Sequence, residues 1–128
     1  MALIAIIDDD PDIIEASSLV LKSKGHDLIT ASNPDDGFKI VTENNPQLII
    51  LDVMMDTPQD GFILSRQLKQ DTNYKDIPIL MLTSVKDVIG IDFESVAGDD
   101  TWLPVDKYLP KPVKPEVLLE KVAELLEK

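Results

Sequence analysis

The 128 residues are 44% apolar but only 5% aromatic, which suits the aliphatic core of one ordinary domain and is too apolar for a disordered chain. Twenty-four acidic residues against twelve basic ones leave a net charge of −12, which repels a phosphate backbone and argues against direct nucleic-acid binding. The absence of cysteine excludes disulfides and thiolate metal sites, and no apolar stretch approaches the roughly 20 residues of a membrane helix, so the reading is one soluble, cytoplasmic domain over residues 1–128.

Leu3-Ile4-Ala5-Ile6-Ile7 is a short, continuous apolar run of the kind a strand buried on both faces requires, and Asp8 and Asp9 close it. Asp10 then caps a helix that has Pro11 at its first position, Ile13, Ile14, Leu19, Val20 and Leu21 on its buried side, and Gly25 as its stop. Residues 27–31 read as a second strand. Asn33 and Pro34 repeat the cap-plus-proline start, with Asp35 and Asp36 meeting the positive end of the helix dipole. Gly37 inside that helix costs about 1 kcal/mol against alanine, so the helix is expected to be short and marginal.

A third strand runs from Gln47 to Leu51 and is closed by Asp52. The next helix follows Asp60-Gly61, with Phe62, Ile63, Leu64 and Leu68 inward, and stops before a polar turn over residues 70–76. Residues 77–82 form strand four, which ends in the hydroxyl of Thr83. In 86–106, Ile89, Ile91 and Phe93 alternate while Gly90, Gly98, Asp99 and Asp100 break any regular element, so its structure stays open. Tyr108-Leu109 is a short strand leading to Lys111. The last helix starts at Pro115, with Val117, Leu118, Val122, Leu125 and Leu126 at helical spacing and Glu120, Glu124 and Lys128 outside.

Such runs alternating with helices define an α/β chain with an open parallel sheet, whose ligand crevice lies beyond the carboxyl ends of the strands. Four strands deliver polar chemistry there. Gathered carboxylates repel one another, so Asp8, Asp9 and Asp52 stay ionised together only if a cation or donor offsets the charge. One Mg²⁺ and the ammonium of Lys111 would balance them. Magnesium takes oxygen ligands and is usually held by one or two carboxylates with phosphate oxygens, which matches this inventory better than zinc or copper. A hydroxyl and a lysine beside the metal suit the equatorial oxygens of a phosphoryl group, and an aspartate can itself be the nucleophile that forms an acyl phosphate.

Ile6-Ile7-Asp8-Asp9-Asp10-Pro11, Leu51-Asp52-Val53-Met54-Met55, Met81-Leu82-Thr83-Ser84 and Tyr108-Leu109-Pro110-Lys111-Pro112, in this order and approximate spacing, resemble the signature segments of response-regulator receiver domains of the CheY-like type. The likeness spans nearly the whole chain. It implies a flavodoxin-like, doubly wound open sheet of five parallel strands in the order 2-1-3-4-5 with helices on both faces. It makes Asp52 the phosphoacceptor and assigns Asp9 as direct Mg²⁺ ligand, with Asp8 acting through water and Met54 giving a backbone carbonyl. Thr83 becomes the hydroxyl that moves onto the phosphoryl oxygen, Tyr108 the aromatic switch behind it, and Lys111 the phosphoryl-binding lysine, with Lys111-Pro112 a candidate cis peptide. His26 has no acid or metal partner in its motif and reads as a surface loop residue rather than a phosphocarrier.

The resemblance has departures. Asp56 stands where the family commonly has proline, and Asp60-Gly61 is displaced by one, so the loop over the metal is one residue longer; Asp56 reads as a solvated loop acid. The 86–106 stretch is longer than in most receivers and holds the single tryptophan, Trp102, read as buried rather than as a partner anchor. Met54 and Val85 are apolar at positions that in the family influence water access, which implies slow self-dephosphorylation. The implied function is a single-domain response regulator, not an enzyme: phosphoryl transfer from a histidine kinase or histidine phosphotransfer protein to Asp52, then signalling to a downstream protein as a monomer or weak phosphorylation-dependent dimer. Its rivals are an aspartyl-phosphate phosphohydrolase, which wants a second aspartate where Met54 stands, and a phosphorylation-independent adaptor.

Overall fold

A computed structural model describes residues 2–52, 60–83, 107–110 and 114–127. Its elements are β1 (Leu3–Ile7), α1 (Pro11–Lys22), β2 (Asp27–Ala31), α2 (Pro34–Asn44), β3 (Leu48–Asp52), α3 (Asp60–Lys69), β4 (Ile79–Thr83), β5 (Lys107–Pro110) and α4 (Pro115–Leu126). The strands pair in parallel in the order β2-β1-β3-β4-β5, a flavodoxin-like open sheet. No helix among the described residues is long and apolar enough to cross a membrane.

Side chains alternate between the two faces of a strand, and here both faces are apolar and covered. Ala5, Ile7, Ile49, Leu51, Ile79 and Met81 meet Val41 of α2 and Leu64 and Leu68 of α3. Ile4, Ile6, Leu48, Ile50, Leu80 and Leu82 meet Leu21 of α1 and Leu118, Val122 and Leu125 of α4. That two-sided burial is why β1, β3 and β4 read as unbroken apolar runs.

Asp10 caps α1 as its sequence requires, its Oδ1 accepting the Asp12 N–H at 2.9 Å. The helix stops at Ser23, and Gly25 (φ 85°) donates its N–H to the Lys22 carbonyl, so the glycine serves the turn beyond the cap rather than the cap itself. Leu19, read as inward, is 66% exposed. Ser17 and Leu21, four apart, define the buried stripe, and Leu19 lies about halfway round the helix from both. On α3 the stripe is Leu64-Ser65-Leu68, which leaves Ile63, also read as inward, 52% exposed; the side chain of Phe62 is outside the described part.

Helix α2 is longer than expected, running eleven residues. Asn33 Oδ1 accepts the Asp36 N–H at 2.8 Å and Asn33 Nδ2 donates to Asp36 Oδ2 at 2.9 Å, a reciprocal cap, while Asn45 closes the far end in the left-handed conformation (φ 51°). Gly37 also has a packing reason. A Cβ there would stand 2.9 Å from both Cδ1 and Cγ2 of Ile7, so the bare backbone is what lets α2 settle onto β1. The fourth strand starts at Ile79, not at 77, because the Ile77 N–H is spent on the Tyr74 carbonyl in the preceding turn and Pro78 has no N–H to give. Lys69 Nζ holds that turn by donating to the carbonyls of Lys75 and Ile77 at 3.0 Å each.

His26 is a half-buried latch rather than a surface residue: its Nδ1 accepts the Ala2 N–H at 3.2 Å next to the start of β1. Burial lowers its pKa from 6.5, and an Nδ1 that accepts a hydrogen bond must be unprotonated. Between the folded and unfolded pKa values the unfolded chain therefore binds more protons, so the stability from this group is complete above about pH 6.5 and lost as the pH falls through the lower, folded value. Urea titrations from pH 7.5 to 5.5 should show a loss of stability that His26→Asn, which keeps an acceptor but cannot titrate, lacks; parallel pH profiles would contradict this. Asn33→Ala should cost about 1 kcal/mol in the same titrations, and a change indistinguishable from zero would mean that the cap carries no stability.

Candidate functional site

The parallel register of β1 and β3 builds the site. Ile7 pairs with Leu51, so one step further along come Asp8 just past β1 and Asp52 at the end of β3. This is where the chain order in the sheet reverses, β2 lying on one side of β1 and β3 on the other, and such switch points open a crevice at the strand carboxyl ends. Carboxylate oxygens of Asp8, Asp9 and Asp52 lie within 4.8 Å of one another, and no other group of that kind occurs among the described residues. Asp8 and Asp52 are only 1% and 3% exposed, while Asp9 faces solvent.

Backbone groups fix the cluster. The Asp8 N–H donates to the Ala31 carbonyl at 3.0 Å, prolonging the β1–β2 ladder, and Asp8 Oδ1 accepts the Asp10 N–H at 2.9 Å. Asp10 repeats the same turn with Asp12, so two successive aspartate turns lead the chain from strand into α1 and aim Asp8 back at Asp52. Asp10, expected only as a helix cap, thus also supports Asp8 through its backbone amide. The Asp-x-Asp-x-Asp spacing from Asp8 to Asp12 is the signal that could have revealed it.

Three carboxylates, two of them buried, form a hard, all-oxygen donor set, and like charges at this spacing require a compensating cation or donors. The set fits Mg²⁺, which binds through one or two carboxylates and keeps waters on its open side, where Asp9 is exposed; it offers none of the nitrogen or sulfur that zinc or copper favours. A bound divalent ion would place positive charge where a phosphoryl group meets Asp52.

The remaining predicted residues are positioned only by the backbone or not at all. Asp52 pairs with Leu82, so Thr83 ends β4 one residue beyond the level of Asp52, and Thr83 in turn pairs with Pro110 at the end of β5. Tyr108 pairs with Met81 inside the sheet. Strands β1, β3, β4 and β5 are thus consecutive neighbours whose carboxyl ends form one edge. The side chains of Thr83 and Tyr108, and residues Met54, Asp56, Val85, Phe93, Trp102, Lys111 and Pro112, lie outside the described residues.

Known proteins share this plan. The chain is 36% identical over 126 residues to the DNA-binding dual master transcriptional regulator RpaA of Synechocystis sp., covering 98% of this chain and 49% of that protein. It is 30% identical over 129 residues to Protein PilH of Pseudomonas aeruginosa, covering 98% of each. It spans about half the length of most of the curated relatives it matches, and nearly all of PilH. The crystal structure of a putative response regulator from Chloroflexus aurantiacus superimposes with a TM-score of 0.83 at 28% identity, over 99% of this chain and 98% of the other. The family model described as the response regulator receiver domain matches residues 4–123, and the chain belongs to that family.

Proposed function

We propose that this chain is a stand-alone receiver that accepts a phosphoryl group on Asp52 from a phosphohistidine on a kinase or phosphotransfer protein. The observation that carries the reading is the meeting of Asp8, Asp9 and Asp52 at the carboxyl edge of the sheet. A carboxylate oxygen of Asp52 attacks phosphorus in line with the P–N bond of the donor; the P–O bond forms as the P–N bond breaks, and the imidazole nitrogen keeps the bonding pair. Asp9, Asp52 and the Met54 carbonyl, with Asp8 acting through water, would hold Mg²⁺, which would offset the charge on the phosphoryl oxygens. Lys111 binds one of those oxygens. Thr83 moves toward another, and Tyr108 turns inward behind it, so that a local change of charge shifts the population of a binding surface.

Output then passes through protein contact, in the cytoplasm, by a monomer or weak dimer, and the chain is no turnover enzyme. The full-length match to PilH supports the stand-alone form. RpaA, which its name calls DNA-binding, is about twice as long, and the −12 charge of the present chain disfavours direct contact with nucleic acid.

Incubation with acetyl phosphate and Mg²⁺, followed by intact-mass measurement, should give one phosphate per chain; the adduct should be absent from Asp52→Asn and from samples treated with a chelator. Repeated turnover would indicate a phosphohydrolase, and no adduct at all an adaptor. With Met54 and Val85 apolar, neither orients an attacking water. The adduct should therefore outlast a desalting step in Mg²⁺ buffer, and decay within seconds would contradict this.

A further inference from the structure

We infer that Gly37 is a positioning residue for the carboxylate cluster, acting through Ile7. The inference rests on the Mg²⁺ site proposed above. A Cβ at position 37 would stand 2.9 Å from Ile7 Cδ1, 2.9 Å from Cγ2 and 3.2 Å from Cγ1. Rotation about the outer torsion can carry Cδ1 away, but Cγ2 is bonded to the branched Cβ, one bond from the backbone, and the two methyls cannot both retreat without changing χ1. Ile7 has no room for that change: it is fully buried, with Ala31 beside it on β2 and Leu51 beside it on β3.

The two neighbours of this contact are the site. Asp8 follows Ile7, and Asp52 follows Leu51. Helix α2 is held to the sheet by fully buried Val41, four residues after Gly37, and by half-buried Phe38 beside it, so a methyl added at 37 presses on β1 before it lifts the helix. The push displaces the end of β1 relative to β3, and with it Asp8 and Asp9 relative to Asp52. The helix therefore sets the separation of the carboxylates although it supplies none of them.

The test is Mg²⁺ affinity of the full chain, measured by calorimetry well below each variant's unfolding midpoint. Gly37→Ala should weaken Mg²⁺ about tenfold, the lower end of what disturbing a metal site's supporting shell costs. Adding Ile7→Val, which removes Cδ1 and lets the shorter side chain turn away, should recover most of the loss. Asn33→Ala, which destabilises the same helix by removing its solvent-exposed cap hydrogen bonds, should leave affinity unchanged. Ile7→Leu perturbs the contact from the strand side at constant volume and should also weaken Mg²⁺, which keeps the test open should Gly37→Ala not fold. Native-like affinity in Gly37→Ala, or in Ile7→Leu where only that variant folds, would overturn the role of Gly37, as would equal losses in Gly37→Ala and Asn33→Ala. A native chain that binds no Mg²⁺ would instead overturn the reading on which it rests.

Discussion

Two parallel strands in register bring like charges together, and the rest of the molecule serves that juxtaposition. Ile7 beside Leu51 places Asp8 and Asp52 at one level of the sheet, almost out of water, with Asp9 on the rim. Such an arrangement is unfavourable taken alone. It persists because the strands that carry it are buried on both faces and cannot slide: a one-residue slip would turn every apolar side chain of β1 to the wrong helix layer.

The stability of the frame and the poise of the site are thus opposite terms of one fold. Burial of the aliphatic side chains of β1, β3 and β4 supplies the favourable energy, and the acidic edge opposes it slightly, gathering negative charge that a divalent cation can offset. The turns after β1 show how little machinery this takes. Two aspartates in succession bond the amide two residues ahead, which both starts α1 and stops the Asp8 carboxylate from swinging into solvent. On the far side, helix α2 rests its glycine against Ile7, so the layer that covers the sheet also bears on the geometry of its edge.

Much of this was legible in the amino-acid sequence, for a physical reason. Continuous apolar runs such as Leu3 to Ile7 leave few options but a strand covered on both sides, and a carboxylate directly after such a run must emerge at the sheet edge. Helix starts were legible too, because Asp10 and Asn33 act on amides two or three residues away. What failed depended on distant partners. Leu19 and Ile63 look like core from composition, yet which side of a helix meets the sheet is settled by neighbours such as Ser17 and Ser65, small enough to be buried. Gly37 reads as a weak point until Ile7 is placed against it, and His26 reads as idle until the start of β1 comes within reach of its ring. The start of β4 turned on a hydrogen bond already committed to a turn.

The central claim is that the acidic edge formed by Asp8, Asp9 and Asp52 is a divalent-metal site. Anomalous diffraction from a crystal soaked in Mn²⁺ addresses it most directly, since manganese shares the oxygen preference of magnesium and scatters strongly enough to be located on its own. The account predicts a peak at coordination distance from carboxylate oxygens of both Asp9 and Asp52. A map in which the ion sits elsewhere, or in which that edge stays empty at millimolar Mn²⁺, would contradict it.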